Sequence, residues 1–170
     1  MGIVAQDFGV IMSPTDTQAI ATQTKALSLS ELYEVDDHLW LEETIKLLRA
    51  GNLDALDVEN LIEELESLAK RDRHRVESFL QQIIRHLLML HYWQEEVDRN
   101  SSHWESEILN FRDQLNRYLT TNLRNHLSQE LESLYKTSVS YVQAKSGGKI
   151  QSMPDDCPYS LEQLLDIDYL

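Results

Sequence analysis

The sequence predicts an all-α protein, a helical bundle of about four main helices, one of them unusually long, with a short C-terminal helical turn. Three observations support this fold class. Apolar residues recur with the roughly 3.6-residue period of amphipathic helices. Ser and Asp residues stand where helices would begin. No stretch alternates polar and apolar side chains in the manner of a strand or a hairpin.

The first predicted helix covers 37–49, with Asp36 as its N-cap and Gly51 after its end. The residues expected on its inner face are Trp40, Leu41, Thr44, Ile45 and Leu48. Residues 1–30 have little charge and no sustained periodicity, so we predict a flexible N-terminal extension there. Residues 31–170 are then expected to form a single helical domain.

The second helix is predicted over 57–93, with Asp57 as its N-cap. A heptad pattern, hereafter the heptad seam, runs through it as Ile62, Leu65, Ala69, Asp72, Val76, Phe79, Ile83, His86, Leu90 and Trp93. Since neither Gly nor Pro interrupts this pattern, we expect one helix of about 37 residues, or roughly 55 Å.

Two more helices complete the predicted bundle. A turn is expected at 100–102, where Ser102 and Glu105 fit a capping box that opens the third helix, ending near Asn122. Its inner residues are Trp104, Ile108, Phe111, Leu115 and Tyr118. The fourth helix, 124–145, places Leu127, Leu131, Leu134, Ser138 and Tyr141 inward.

The C-terminal tail is predicted to be irregular and then briefly helical. Pro154 and Pro158 favour an extended path, and Ser160 with Gln163 fits a second capping box. The apolar residues that can dock this tail on the bundle are Tyr159, Leu161, Leu164 and Leu165.

Charge and cysteine content exclude several classes of function. The formal net charge is −14, from 29 acidic and 15 basic residues, which opposes binding to nucleic acid or anionic lipid because such binding needs a basic surface. No apolar stretch is long enough to span a bilayer. The one cysteine, Cys157, lies beside Asp155 and Asp156 and is expected to be unreactive. We therefore expect a cytoplasmic protein that is not attached to membranes.

A set of short motifs occurs in a characteristic order along the chain. They are Tyr33 with Asp36 and Trp40, Leu56 with Asp57, Asn60–Leu65, His86–Leu88, Ser102 with Trp104, Arg112, Cys157–Tyr159 and Leu164 with Leu165. In this order the stretch 33–170 resembles the bacterial family called domain of unknown function 29 (DUF29), many of whose members are cyanobacterial. The resemblance implies an α-helical fold and no assigned activity.

His86, Glu63 and Glu66 are the candidates for chemistry. His86 occupies the heptad seam, where burial would leave a neutral imidazole able to act as a base or metal ligand. The alternative is a packing histidine bonded to a carbonyl. Glu63 and Glu66 belong to an acidic ridge with Glu59, but the Glu-x-x-His motifs of di-metal bundles are missing. We predict no metal and no cofactor.

The function is not fixed by any motif, and two hypotheses remain. The favoured one is a non-catalytic helical protein-interaction or adaptor protein that binds a protein partner or forms a homo-oligomer. The alternative is an enzyme, possibly metal-assisted, with a site around His86 and Glu63 or Glu66. A basic cluster at 70–75 is expected to form intramolecular ion pairs, including one between Glu66 and Lys70.

Overall fold

The protein is described by a computed structural model over residues 27–150 and 152–170. All regular structure in these residues is helical, which confirms the predicted fold class. The helices are α1 (Leu29–Val35), α2 (Asp37–Ala50), α3 (Val58–Tyr92), α4 (Gln94–Tyr118), α5 (Thr121–Lys145) and α6 (Leu161–Leu165), with a 3₁₀ turn at Leu53–Ala55. Residues 1–26, most of the predicted extension, lie outside the described residues.

The chain divides into two compact units, Met1–Leu61 and Ile62–Leu170. The division falls inside α3, whose backbone continues as helix across it. The single domain expected over 31–170 stays a prediction. None of the described helices combines the length and the apolar character that crossing a bilayer requires.

The described part of the first unit, which starts at residue 27, opens with a helix that sequence reasoning missed. The Glu31 N–H donates to Ser28 Oγ at 3.2 Å, and the Ser28 N–H donates to Glu31 Oε2 at 2.8 Å. This reciprocal pair is a capping box, which satisfies amide groups that the first turn of α1 would leave unbonded. The Ser-x-x-Glu spacing was visible in the sequence, so this start could have been found.

Helix α2 buries only part of its predicted inner face. Asp36 Oδ1 caps the helix by accepting from the Leu39 N–H at 2.9 Å, and Gly51 ends it with a left-handed φ of 70°. Trp40 and Thr44 are buried, but the other three predicted residues, Leu41, Ile45 and Leu48, are exposed. The expectation for those three residues was wrong, because periodicity shows where the apolar face lies and not what covers it.

Helix α3 is a single helix of 35 residues, as the uninterrupted pattern predicts. Asp57 Oδ1 accepts from the Asn60 N–H at 3.4 Å at its start. In the C-terminal half of the heptad seam, Val76 and Ile83 are buried and the remaining members are half-buried, whereas Ile62 and Leu65 at the other end are exposed. Helices α4 and α5 have 25 residues each, about 15 Å less than α3, so they cannot cover its whole length.

The core of the second unit lies between the C-terminal half of α3 and helices α4, α5 and α6. Its buried members from α4 and α5 include Trp104, Ile108, Leu115, Leu127, Leu134, Tyr135 and Val142. Most predicted inner positions are confirmed. Tyr118 and Tyr141 are exposed instead, and Tyr135 and Val142 take inward positions that were not predicted.

The turn predicted at 100–102 was wrong. Helix α4 starts at Gln94, after Trp93, and runs through that stretch without a break. The Asn100 side-chain amide donates to the Glu96 carbonyl at 3.2 Å, so this polar side chain is satisfied inside the helix. The capping-box pattern of Ser102 and Glu105 therefore wrongly predicted the start of a helix, because it lies in the middle of a longer one.

Candidate functional site

His86 lies in the C-terminal half of α3 and is half-buried. Its Nδ1 is 2.7 Å from the Gln82 carbonyl oxygen, so Nδ1 carries the proton and donates it to that oxygen. The ring packs against Phe111 with a centroid distance of 5.8 Å. Burial is the main cause that lowers the pKa of His86, and the ring is neutral near pH 7. This is the environment of a packing histidine with one carbonyl partner.

The structure does not bring Glu63 and Glu66 to His86. All three belong to the continuous helix α3, and the two carboxylates precede the imidazole by roughly 30 Å or more along the axis. Both glutamates are exposed. In the described part of the chain, no three or more His, Cys, Asp or Glu side chains are grouped to hold a metal ion. A common site for these three residues is therefore not formed.

Arg112 is a buried residue whose role the sequence did not reveal. Its guanidinium donates to three backbone carbonyls of the tail, at 2.9 Å to Leu164, 2.6 Å to Tyr169 and 3.2 Å to Gln163. These carbonyls follow or end α6, where helical partners are missing. Arg112 therefore fastens the C-terminal segment to α4, and its donors are occupied by backbone rather than open to a ligand.

The Cys157–Tyr159 motif forms a second contact between the tail and the core. The Tyr159 hydroxyl lies 3.0 Å from His91 Nδ1, and the Cys157 N–H donates to Glu132 Oε2 at 3.2 Å. Burial raises the pKa of the Cys157 thiol and of the Tyr159 phenol, and it lowers the pKa of His91. All three groups are thus held neutral, which suits packing and leaves no thiolate for nucleophilic chemistry.

A groove of about 290 Å³ lies between α5 and the tail. The residues that line it are Tyr135, Lys136, Val139, Ser140, Gln143, Met153, Pro154 and Asp155. The Tyr135 hydroxyl donates to the Pro154 carbonyl at 2.6 Å, and burial raises its pKa to about 12. No histidine lines the groove to activate Ser140, so the lining lacks the nucleophile–base pair that acyl transfer requires.

The N-terminal part of α3 exposes several apolar side chains close together. Ile62, Leu65 and Leu68 are 52%, 56% and 47% exposed, and Ala69 is exposed beside them. At about 100° per residue these four side chains fall on one side of the helix. We call these four residues the α3 apolar face. Exposed apolar residues grouped in this way on a helix are typical of a protein-interaction surface.

Charged residues border the α3 apolar face along one flank. Glu63, Glu66, Lys70 and Arg73 are all exposed there. None of these four side chains forms an ion pair or hydrogen bond with another described residue, so the predicted pair between Glu66 and Lys70 is not formed. Elsewhere in the basic cluster, Arg75 pairs with Asp72 at 3.4 Å and lies over the Tyr118 ring.

Comparison with known proteins gives a family but no activity. The sequence model of the family described as "Domain of unknown function DUF29" matches residues 32–170. An α-helical protein of unknown function from Rhodospirillum rubrum has a similar structure, with a TM-score of 0.58 and 20% sequence identity over 81% of this chain and 90% of that chain. At that identity the likeness concerns the fold alone. No curated protein matches the chain. Since the family model spans far more than half of the sequence, the chain belongs to the family of domain of unknown function DUF29.

Proposed function

We propose that this protein is a non-catalytic helical interaction protein and that the α3 apolar face is its binding surface. One observation carries the proposal. Leu65 lies inside the uninterrupted helix α3, on the same side as the fully buried Ile83, and yet it is 56% exposed.

The exposed side chains offer a free-energy gain that a partner can recover. Covering the exposed part of a Leu or Ile side chain contributes roughly 1 kcal/mol. Ile62, Leu65 and Leu68 together therefore supply about 3 kcal/mol before any polar contact forms. Helix faces of this kind bind by laying their apolar residues against another apolar helix or groove. In the first unit, α2 exposes its own row of Leu41, Ile45 and Leu48.

The enzymatic alternative has no comparable support. Among the described residues, the His86 ring has one hydrogen-bond partner, the Gln82 carbonyl, and it packs against the Phe111 ring. General acid–base or metal catalysis needs further polar groups within hydrogen-bond reach of the ring. Glu63 and Glu66, the carboxylates expected to provide them, lie several helical turns away.

Photo-crosslinking in cells tests the proposal. A photoreactive side chain is placed at Leu68 of the full chain, and a second one at Ile167, which is exposed to the same extent as Leu65 at 56%. We expect a discrete crosslinked product from position 68 and none from position 167. The product should disappear when Leu65→Lys is added and should persist with Ile167→Lys. Equal crosslinking from the two positions, or a product that Leu65→Lys leaves unchanged, would contradict the proposal.

A further inference from the structure

We propose that the occupant of the α3 apolar face is a second copy of this chain, paired antiparallel about a two-fold axis close to Ser67 and Leu68. This inference rests on the proposed function, since it identifies the partner of the same surface. It is carried by the order of the charges along the flank of that face.

Along the flank, the acidic side chains precede the basic ones. Glu63 and Glu66 come first, and Lys70 and Arg73 follow. At about 100° per residue these four positions fall within about 80° of each other around the helix. They form one charged row with an acidic first half and a basic second half. No described residue pairs with any of the four, so the row is available to an outside partner.

In an antiparallel second copy the charges run in the opposite order, so the acidic half of each row faces the basic half of the other. With the axis near Ser67 and Leu68, Glu63 of one copy comes opposite Arg73 of the second copy, and Glu66 comes opposite Lys70. A two-fold interface repeats every contact, so each dimer contains four attractive pairs. Antiparallel helices also bring the same flank of both copies together. A parallel pair would bring the row of each copy against the opposite flank of the other, so these four attractive pairs would not form.

The apolar residues fit the same arrangement. Leu68 lies at the axis and meets its own equivalent, while Leu65 of each copy comes near Ala69 of the other. The small Ala69 side chain leaves room for the larger Leu65. The contact thus has an apolar centre and a charged rim, which is the usual anatomy of a protein interface.

Local charge also favours self-association at this segment. The whole chain has a formal net charge of −14, so two copies repel each other over most of their surfaces. The segment 62–76 differs because its four carboxylates are balanced by four cations. The carboxylates are Glu63, Glu64, Glu66 and Asp72, and the cations are Lys70, Arg71, Arg73 and Arg75. Two copies can therefore meet there without net repulsion between the two segments.

The contact is small, so the expected dimer is weak and reversible. A segment of fifteen residues is roughly 22 Å long. A single pair of such helices buries less than about 1,200 Å², the range of transient complexes. Dimerisation should therefore appear between about 1 μM and about 1 mM.

Sedimentation equilibrium of the purified full chain tests the pairing with two charge-reversed variants. The first, Glu63→Lys with Glu66→Lys, makes the row wholly basic. The second, Lys70→Glu with Arg73→Glu, makes it wholly acidic. Each variant alone should raise the dimer dissociation constant at least about tenfold, because four attractive pairs become repulsive. An equimolar mixture of the two should restore dimers, now heterodimers, and the fourfold variant with the whole row reversed should dimerise like the wild type.

Three outcomes would overturn the inference. A wild-type chain that stays monomeric up to about 1 mM would exclude the second copy as occupant. Dimers that both variants leave unchanged would place the interface elsewhere. Loss of dimers in both variants without recovery in the mixture would exclude the antiparallel match. Circular dichroism shows whether each variant keeps its helices. The crosslinking at Leu68 separates the two proposals, since a product that contains a different protein supports the surface while it rejects self-pairing.

Discussion

Leu65 and Ile83 lie on the same side of α3, about five helical turns or 27 Å apart, in opposite environments. Leu65 is 56% exposed, and Ile83 is completely buried. The helix between them is continuous, so the difference comes from what packs against each end. The same apolar side of one helix therefore stabilises the core at one end and offers a binding surface at the other.

This contrast predicts that truncating Ile83 and truncating Leu65 to alanine will change the free energy of unfolding by different amounts. Ile83→Ala leaves a cavity in the core and should lower the free energy of unfolding by about 2–5 kcal/mol. Leu65→Ala removes a side chain that is largely in water and should change it by less than about 0.5 kcal/mol. Urea unfolding measures both changes, at protein concentrations too low for the proposed dimer to form. Similar losses in the two variants would mean that Leu65 is buried in the monomer.

Arg112 should be required for docking of the tail. Arg112→Met removes three hydrogen bonds and leaves the carbonyls of Leu164 and Tyr169 without a donor, which should cost roughly 3 kcal/mol. Amide hydrogen exchange in α6 should become faster. Arg117→Met is the control, because Arg117 forms an exposed ion pair with Asp113, and such pairs contribute little. Unchanged protection of α6 in Arg112→Met would contradict this role.

Stability should depend on pH through His86. Burial lowers the pKa of this ring in the folded protein below its ordinary value of 6.5. The unfolded chain therefore takes up the proton first as the pH falls. The stabilisation is complete above about pH 6.5 and is lost as the pH falls through the folded pKa.

Unfolding free energies of the wild type and His86→Gln, measured between about pH 5 and pH 8, check this dependence. The wild type should lose stability relative to the variant on the acidic side. The other histidines are the same in both proteins, so their contributions cancel. Two curves that stay parallel across this range would show that the ring titrates alike in the folded and unfolded states.

The capping box of α1 should stabilise the first turn of that helix. Ser28→Ala removes the oxygen that accepts from the Glu31 N–H and should destabilise α1 by about 1 kcal/mol. Ser30→Ala, two residues later inside α1, should have little effect because Ala is a better helix former. Exchange rates of the α1 amides report the difference. If both variants exchange alike, the cap does not hold the helix.

The length and position of α3 could be predicted because they depend on local pattern. The apolar repeat and the absence of Gly and Pro determine a continuous helix, and Asp57 supplies its start. The exposure of Leu65 could not be predicted in the same way. It depends on how far α4 extends along α3, and the first residue of α4 was itself missed because Trp93 gives no clear cap in the sequence.

The role of Arg112 depends on contacts that are distant in sequence. In the sequence it looks like a polar residue near the inner stripe of an amphipathic helix. Its burial results from the tail, whose Leu164 carbonyl lies 52 positions away along the chain. The separation of Glu63 and Glu66 from His86, by contrast, could be predicted from the sequence, because it follows from the geometry of a single helix. The charge order on the α3 flank was present in the sequence, but its meaning required the exposure that the structure provides.

Thiol labelling inside cells tests most directly whether the α3 apolar face is covered there. A cysteine is placed at Leu65 or, as a control, at Ile167, in chains that carry Cys157→Ser. If the face binds a partner, the cysteine at 65 should react several-fold more slowly with a membrane-permeant alkylating reagent in cells than in dilute purified protein. The cysteine at 167 should react at similar rates in both. Equal rates for position 65 in cells and in dilute solution would contradict the account, because the face would then be free where it is proposed to be bound.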